Sequence, residues 1–422
     1  MQFAEAVQYL LSLGHETLTI KLGLRNTELL LHALDNPERS FTAVQIAGTN
    51  GKGSTAAMLD SICRAAGIKT GLYTSPHLVS ITERIRVSGV DITPEDFARH
   101  ASTVRAVAED LVSRKEIDAL PTFFEHVTAI ALLAFREAGV ELAILETGLG
   151  GRLDSTTAAN AAIVGITQIA MDHEEYLGNT LASIASEKAA VIRPGVTTVI
   201  AEQQPEALAV LLERCAAVGV QPSLPGDKNF RKKEADFSLK LRGAHQIKNA
   251  SVAIGLAEAL RLHGFTISAE QIGFGLATAT HPGRLELIPP FLLDGAHNPA
   301  GAQALRTYLD EFHDGPLTLI FGAMRDKKLA QIAEILFPIA DCLILTTIQN
   351  PRSASVETLA PLAKKFTHGV VSETSNSAAA IHTALAQISP DSLICITGSL
   401  YLIGETRPTV QKLAEEKYDH AT

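Results

Sequence analysis

Apolar runs with the length of β-strands alternate with helical patterns along most of the chain. In the first part, strands are predicted at residues 42–47, 70–74, 141–146, 161–169 and 197–201. In the second part, they are predicted at residues 291–294, 316–321, 342–348, 369–371 and 392–397. Such alternation is typical of a mostly parallel sheet that is covered by helices on both faces. The pattern therefore predicts an α/β chain.

Two clusters of proline and glycine interrupt the alternation and indicate a hinge. They lie at residues 281–284 and at Pro289-Pro290, and 422 residues with 46% hydrophobic content can fill more than one core. We therefore expect a larger N-terminal lobe over residues 1–282, with a doubly wound sheet. A smaller Rossmann-like lobe is expected over residues 287–422. Weak alternation predicts a small β excursion at residues 221–244.

The composition favours a cytoplasmic protein that acts on small molecules, with a monomer as the default expectation. No apolar stretch has the length of a membrane span, and the first residues lack the features of a secretory signal. A net charge of −10 argues against nucleic acid or an anionic membrane as the partner. The cysteines are isolated along the chain, which favours buried free thiols over disulfides or a zinc site: Cys63, Cys215, Cys342 and Cys395.

Residues 44–55 run from a predicted strand through a glycine-rich turn into a predicted helix at 54–66. Gly48, Gly51 and Gly53 can adopt backbone angles that other residues avoid, so that successive N–H groups can converge on an anion. The helix start adds its positive end, and Lys52 and the hydroxyls after it suit phosphates and Mg²⁺. The spacing departs from the common GxxxxGK[ST] form, which leaves an ordinary glycine-rich turn as the alternative.

Polar residues follow other predicted strands of the first lobe, at the sheet edge where ligands bind in open parallel sheets. Glu146 ends one strand and leads into a glycine turn with Arg152 and Asp154, and Asp172 and His173 follow another strand. A carboxylate at such a strand end commonly holds Mg²⁺. A lone Asp-His pair is more often a capped turn. Together these residues indicate a metal and polyphosphate site.

Several further residues have two interpretations each. Lys188 lies on a helix of small residues and by itself would be a solvated lysine. Ser75 and His77 follow a strand, and Arg84 and Arg86 after them either bind an anionic substrate or face water. In the second lobe, polar groups at three strand ends suggest a shared cleft rather than scattered loop polarity: Asp294, residues 322–327 and Ser399.

In this combination, the motifs resemble those of the folylpolyglutamate synthase and dihydrofolate synthase family, ATP-dependent ligases related to the Mur ligases. The resemblance covers almost the whole chain and implies that the doubly wound sheet of the first lobe is like that of P-loop ATPases. It rests on GTNGKGS at 48–54, TSPHLVSITERIRV at 74–87, FFE at 123–125, ETGLGGRLD at 146–154, MDH at 171–173, SEK at 186–188, HQIKNA at 245–250, PGRLE at 282–286, DGAHNP at 294–299, GAMRDK at 322–327, NPRS at 350–353 and TGSLYLIGE at 397–405. One departure is Thr157, where the family usually has Asn.

The resemblance implies ATP and two Mg²⁺ ions, with Lys52, Glu146, His173 and Lys188 as the catalytic residues. Ser54 and Glu146 would bind one ion; Ser75, Glu146 and His173 would bind the second. Lys188 is similar to the lysine that carries a carbamate in the family. The implied ATP contacts are Gly48, Thr49, Asn50, Gly51, Lys52, Gly53, Ser54, Thr55, Asn249 with His245 and Gln246, Arg284, Asp294 and His297.

The resemblance also implies the substrates. Arg84 and Phe124 would lie near a pterin-bearing acceptor, and the incoming L-glutamate would meet the turn that contains Asp326 and the residue Ser399. Arg152 and Asp154 complete the implied substrate contacts. The implied reaction adds L-glutamate to dihydropteroate and to reduced folates through an acyl phosphate, with folylpolyglutamate synthase activity alone as the alternative. A P-loop regulatory NTPase is the alternative from another class.

Overall fold

The computed structural model describes residues 1–14, 23–224, 237–389 and 391–419, and within them the chain forms two compact units. The first comprises Met1–Lys240 and Ile247–Thr280; the second comprises Leu241–Gln246 and His281–Thr422. Residues 225–236, the middle of the predicted β excursion at 221–244, lie outside the described residues. Before them, Ser223 forms an isolated parallel bridge with Val199.

The first unit is built on a seven-stranded sheet in the order β4-β3-β2-β5-β1-β6-β7. Strands β2, β5, β1, β6 and β7 are parallel, and β3 and β4 are antiparallel additions at one edge. The strands are β1 (Thr42–Ala47), β2 (Thr70–Tyr73), β3 (Ile85–Val87), β4 (Val90–Asp91), β5 (Leu142–Glu146), β6 (Ile163–Ile166) and β7 (Thr197–Ile200).

Helices cover both faces of this sheet, which explains why its central strands are continuous apolar runs. Along β5, alternate residues point to opposite faces, yet Leu142 through Leu145 are all fully buried. The helices are α1 (Phe3–Ser12), α2 (Arg25–Ala33), α3 (Lys52–Ala65), α4 (Pro94–Ser113), α5 (Phe123–Ala138), α6 (Glu174–Leu177), α7 (Leu181–Ala189), α8 (Pro205–Ala217), α9 (Ala244–Leu262), which begins in the segment that clusters with the second unit, and α10 (Ala269–Thr278).

Helix α3 packs closely because small residues and a glycine allow it. A Cβ at Gly275 of α10 would lie 2.4 Å from the Cα of Ile62, so only glycine permits this approach. Gly67, with φ of +77°, follows the end of α3, where a left-handed residue commonly terminates a helix. The helix begins two residues before its predicted start and contains Gly53, which has no positive φ. The expectation of special backbone angles at Gly53 was wrong.

The second unit has a six-stranded sheet in the order β12-β11-β10-β13-β9-β8, in which only β8 is antiparallel to its neighbour. Its strands are β8 (Glu286–Ile288), β9 (Phe291–Leu293), β10 (Leu317–Phe321), β11 (Cys342–Leu345), β12 (Val370–Glu373) and β13 (Leu393–Thr397). Its further helices are α11 (Pro299–Phe312), α12 (Leu329–Leu336), α13 (Val356–Phe366), α14 (Ser377–Ala386) and α15 (Leu400–Asp419).

The predicted α/β class is confirmed, and each of the ten predicted strands forms. The prediction missed β3, β4 and β8, which are two or three residues long and therefore too short to show a period. Cys63, Cys215 and Cys395 are buried free thiols, and Cys342 is a half-buried one. None of the helices in the described ranges has the length and apolarity that crossing a membrane requires.

Candidate active site

The glycine-rich loop joins β1 to α3 and has room for glycine alone at two positions. Gly48 has φ of +148° and Gly51 has φ of +86°. A Cβ at Gly48 would lie 1.8 Å from Thr167 Oγ1, and one at Gly51 would lie 2.0 Å from Asn249 Oδ1. These glycines let the loop pass directly against the residue that follows β6 and against α9.

The N–H groups of the loop form two sets: two of them donate to a backbone carbonyl, and the others lie at the start of α3. Those of Thr49 and Asn50 both donate to the carbonyl of Gln168, at 2.9 and 3.1 Å. The first N–H groups of an α-helix have no partner within the helix, and here they belong to Lys52 and the residues after it. The anion-binding capacity therefore lies at the start of α3 more than in the turn itself.

Lys188 on α7 is buried and contacts the same loop. Its side chain is only 4% exposed, and its Nζ donates to the Gly48 carbonyl at 2.7 Å. Burial, reinforced by the charge of Lys52, lowers the pKa of Lys188 to about 7, against the opposing effect of Asp172 and Asp154. The interpretation of Lys188 as a solvated lysine is therefore wrong. Lys52 Nζ donates to the Thr49 carbonyl at 3.2 Å.

The candidate metal ligands follow neighbouring strands, since β2, β5, β1 and β6 are adjacent and parallel. Glu146 is buried at the end of β5, and its Oε2 accepts the N–H of Ser75, which follows β2, at 3.1 Å. Ser54 is buried in the first turn of α3. His173 follows β6 with φ of +51°, and its N–H donates to Asp172 Oδ1 at 2.9 Å.

No cluster of three His, Cys, Asp or Glu side chains with metal-binding geometry occurs in the described residues. The predicted ligand sets therefore depend on the hydroxyls of Ser54 and Ser75 beside Glu146 and His173. Oxygen donors of this type suit Mg²⁺, which keeps several waters and takes few protein ligands.

Asp154 orders the turn after β5. Its Oδ2 accepts the N–H groups of Gly148 and Leu149 at 2.8 and 3.0 Å, and its Oδ1 accepts the N–H and hydroxyl of Thr156. A carboxylate has about four acceptor positions, so this turn uses them fully. Burial raises the pKa of Asp154, and these hydrogen bonds oppose the shift.

Two neighbours of this turn bear on the predicted contacts. Arg152 is exposed and pairs with Glu187, beside Lys188, at 2.7 Å. Thr157, the departure from the family pattern, is buried; its hydroxyl donates to the Gly151 carbonyl and accepts from Gln45 Nε2, both at 2.8 Å. The hydroxyl is thus fully accommodated where an amide was expected.

Arg84 is one of the largest fully enclosed side chains. Its Nε donates to His77 Nδ1 at 2.8 Å, and its guanidinium carbon lies 5.4 Å from the ring centroid of Phe123. The interpretation that Arg84 faces water is therefore wrong. Phe124 is half-buried, and its ring centroid lies 5.9 Å from that of Tyr73.

In the second unit, Asp294 follows β9 and is buried. Its Oδ2 accepts the N–H of Leu285 at 2.9 Å, and its Oδ1 accepts that of Ala296 at 3.0 Å. Burial raises the pKa of Asp294, while the charge of Arg284 opposes the shift. His297 lies in the following turn, and its Nδ1 donates to the Gly295 carbonyl at 2.8 Å. Burial lowers the pKa of His245, which lies near this carboxylate.

Ser399 and Asp326 follow β13 and β10, which are adjacent to each other and, through β13, to β9. Ser399 Oγ accepts the N–H of Tyr401 at 3.1 Å in the first turn of α15. Asp326 Oδ1 lies 3.8 Å from Arg352 Nη1, in the quoted NPRS motif, for which the sequence suggested no role. The sequence also gave no role to Gln168, whose carbonyl shapes the phosphate loop; no pattern in the chain singles it out.

Family models match both parts of the chain. The model for the Mur ligase middle domain matches residues 46–257, and the model for the Mur ligase glutamate ligase domain matches residues 283–400. The chain belongs to the Mur ligase family. It is therefore an ATP-dependent ligase, and the resemblance stated from the sequence is confirmed.

Curated relatives place the chain within this family. It is 35% identical to the dihydrofolate synthase/folylpolyglutamate synthase of Bacillus subtilis over 412 residues, which cover 92% of this chain and 95% of the relative. It is also 35% identical to a probable bifunctional folylpolyglutamate synthase/dihydropteroate synthase of Haloferax volcanii, with 97% of this chain covered. The chain spans only 50% of the length of that relative.

Solved structures share the fold over nearly the whole length. Escherichia coli FolC in complex with DHPP and ADP superposes with a TM-score of 0.86 at 28% identity, over 98% of each chain. The bifunctional synthase of Yersinia pestis with Mn, AMPPNP and L-glutamate bound gives 0.84 at 27% identity, over 97% of this chain and 98% of that one. The fold is the two-domain fold of these ligases.

Proposed function

We propose that this ligase adds L-glutamate to dihydropteroate and to reduced folates, with ATP and Mg²⁺, through an acyl phosphate. The observation that carries the proposal is the phosphate loop with buried Lys188 against Gly48 and Glu146 at a neighbouring strand end. The Bacillus subtilis relative, matched at nearly full length, bears the names of both activities. The Escherichia coli structure is a complex with DHPP and ADP, which adds support.

The nucleotide would meet the start of α3 and Lys52. The N–H groups of the first helical turn and the positive helix end suit the phosphates, and Lys52 adds a point charge. Asn249 is assigned to the adenine side by the family resemblance, and its side chain lies against Gly51 of the loop. The complete set proposed for ATP is that of the sequence analysis: residues 48–55, Asn249, Arg284, Asp294 and His297.

Two Mg²⁺ ions are proposed, one held by Ser54 and Glu146 and the other by Ser75, Glu146 and His173. The fit rests on the donor chemistry, since a buried carboxylate and two hydroxyls suit a hard cation. The Yersinia pestis structure, which contains Mn and an ATP analogue, supports a divalent ion beside the nucleotide. Such an ion, when bound, neutralises charge on the transferred phosphoryl group.

Lys188 is proposed to carry a carbamate. A pKa of about 7 leaves a large fraction of its amine neutral near neutral pH, and only the neutral amine attacks CO₂. The neutral amine nitrogen bonds to the carbon of CO₂, the electron pair of one C=O π bond moves to oxygen, and the nitrogen loses one proton, so that a neutral amine becomes an anionic carbamate. An anion at this position would suit a divalent cation near Glu146.

The reaction would begin when the acceptor carboxylate attacks the γ-phosphorus of ATP, which yields an acyl phosphate and ADP. The amine of L-glutamate then attacks the acyl carbon, loses a proton, and phosphate leaves. No protein nucleophile is needed, so the chain contributes binding, orientation and electrostatic stabilisation through Lys52 and the helix start. Arg84, Phe124 and Arg152 are proposed for the acceptor, together with Asp154 through the turn that it orders, and Asp326 and Ser399 are proposed for L-glutamate.

The deciding experiment offers the purified chain ATP, Mg²⁺ and radiolabelled L-glutamate with either dihydropteroate or tetrahydrofolate. Labelled product from both acceptors is expected. Product from tetrahydrofolate alone would establish a folylpolyglutamate synthase, and no product from either would contradict the proposal. A regulatory NTPase would instead release phosphate without L-glutamate or acceptor. Gel filtration with light scattering would test the monomer that we also propose, and fractionation of the source cells would test the proposed cytoplasmic location.

A further inference from the structure

Arg284 lies in a tight turn of the second unit. One neighbour of Arg284 in this turn has a backbone conformation that is unfavourable for its residue type. Gly283 and Leu285, on either side of Arg284, have φ of +71° and +45°. The left-handed region is unfavourable for leucine, and the Leu285 side chain is nevertheless fully buried. Contacts from outside the turn must therefore hold this backbone, and with it the direction in which Arg284 projects.

Two carboxylates and one backbone group supply these contacts. Asp294 Oδ2 accepts the N–H of Leu285, and Glu286 Oε2 accepts the N–H of Gly283, both at 2.9 Å. The N–H of Gly295 donates to the carbonyl of Gly283, also at 2.9 Å. The backbone is thus fixed on both sides of Arg284.

The Glu286 carboxylate is itself fixed by Arg407 on α15. Arg407 Nη2 donates to Glu286 Oε1 at 2.8 Å, and its Nε lies 3.0 Å from Oε2 and 3.1 Å from Oε1. Both side chains are only about one-fifth exposed, with values of 21% and 20%. A two-point contact of this kind sets the direction of a carboxylate as well as its position.

We propose that Arg407 is a positioning residue for ATP binding, which acts through Glu286 to hold the turn that presents Arg284. The inference rests on the proposed contact of Arg284 with ATP. Asp294 belongs to the proposed ATP contacts itself, whereas Arg407 and Glu286 lie outside them. Arg407 is therefore the member of this network whose substitution separates positioning from direct contact.

The test measures kcat and the KM values for ATP and L-glutamate in Arg407→Met, Arg407→Lys and a control. In Arg407→Met, the KM for ATP is expected to rise about tenfold while that for L-glutamate changes less than about twofold. Arg407→Lys keeps the charge but loses the two-point contact, so an intermediate KM for ATP is expected. The control is Arg306→Met, which removes the Arg306–Asp310 pair within α11 of the same unit.

Arg284→Met, alone and combined with Arg407→Met, separates this inference from the proposed function. We expect Arg284→Met to raise the KM for ATP and Arg407→Met to add little in that background. If Arg284→Met raises it and Arg407→Met does not, the positioning role is wrong and the ATP contact stands. If Arg284→Met leaves it unchanged, both are wrong. A purely structural role for Arg407 would lower kcat with the folded fraction and leave the KM for ATP unchanged, which would also overturn the inference.

Discussion

The first unit buries an amine beside its functional loop, and the second unit buries a carboxylate beside its own. Lys188 donates to the carbonyl of Gly48, and Asp294 accepts the N–H groups of Leu285 and Ala296. Burial lowers the pKa of the amine and raises that of the carboxyl, so in both units it favours the neutral form. Both groups therefore depend on nearby charges and hydrogen bonds to keep their charged form.

The number of hydrogen bonds separates two buried carboxylates that the sequence presents alike. Asp154 in the first unit accepts four hydrogen bonds from its own turn. Asp294 accepts two backbone hydrogen bonds and lies near Arg284 and His245. We infer that Asp154 acts first on the shape of its turn, whereas Asp294 retains acceptor capacity for a ligand.

The largest expected effect is that of removing the buried amine. Lys188→Ala is expected to lower kcat by about a thousandfold, the order lost when one preorganised charged group is removed from such a site. Bicarbonate with short carboxylic acids should restore part of the activity. Lys412→Ala, which removes an exposed lysine paired with Glu416, is the matched control. Wild-type turnover of Lys188→Ala without additives would refute the proposed carbamate.

Of the two variants Asp154→Ala and Asp294→Ala, Asp154→Ala should lower the free energy of unfolding more. It leaves the N–H groups of Gly148, Leu149 and Thr156 without their acceptor, and the free energy of unfolding should fall by about 3 kcal/mol. Urea denaturation followed by circular dichroism measures this free energy of unfolding. A loss no greater than that of Asp294→Ala would contradict the distinction between the two carboxylates.

Asp294→Ala should affect both ligand binding and folding. Two N–H groups lose their acceptor, so a fall of about 2 kcal/mol in the free energy of unfolding is expected. The KM for ATP should rise about tenfold, since both a contact and an anchor of the Arg284 turn are removed. Isothermal titration with ADP checks this change independently of turnover, and unchanged ADP affinity would contradict it.

The smallest expected effect is a pH dependence of stability that originates in Lys188. Its pKa of about 7 in the folded state lies below the ordinary lysine value of 10.5, so between these pH values the unfolded chain binds a proton that the native amine has lost. Stability from this group therefore rises with pH, by about 1 kcal/mol between pH 7 and pH 8, and is lost as pH falls through 7. The comparison of wild type with Lys188→Met, in buffers free of CO₂, measures it; identical pH profiles would contradict it.

The sequence predicted the class of fold because its central strands are long, apolar and separated by helices. It could not predict β4, two exposed residues that pair only with β3, because an edge strand of this length carries no pattern. The glycine-rich turn between strand and helix was predicted from local sequence, yet the contact that requires glycine at position 51 is made with Asn249, 198 positions away. The local spacing of residues does not show which distant segments of the chain pack together.

For the candidate site too, local motifs identified residues, whereas their burial and partners came from tertiary packing. Motifs located Glu146, Lys188 and Asp294, because residue type and strand-end position are local properties. The burial of Lys188 and the enclosure of Arg84 arise from tertiary packing, and both overturned the solvated interpretation that composition favours. The partnership of Arg407 with Glu286 spans 121 positions and could come only from the structure.

The most direct test of carboxylate activation follows an oxygen isotope. An acceptor whose reacting carboxylate carries ¹⁸O at both oxygens is turned over with ATP, Mg²⁺ and L-glutamate, and the released phosphate is analysed by mass spectrometry. Because the acyl phosphate breaks at its carbon, one ¹⁸O should pass from the acceptor to phosphate in each turnover. Product that accumulates with unlabelled phosphate would contradict the acyl phosphate route.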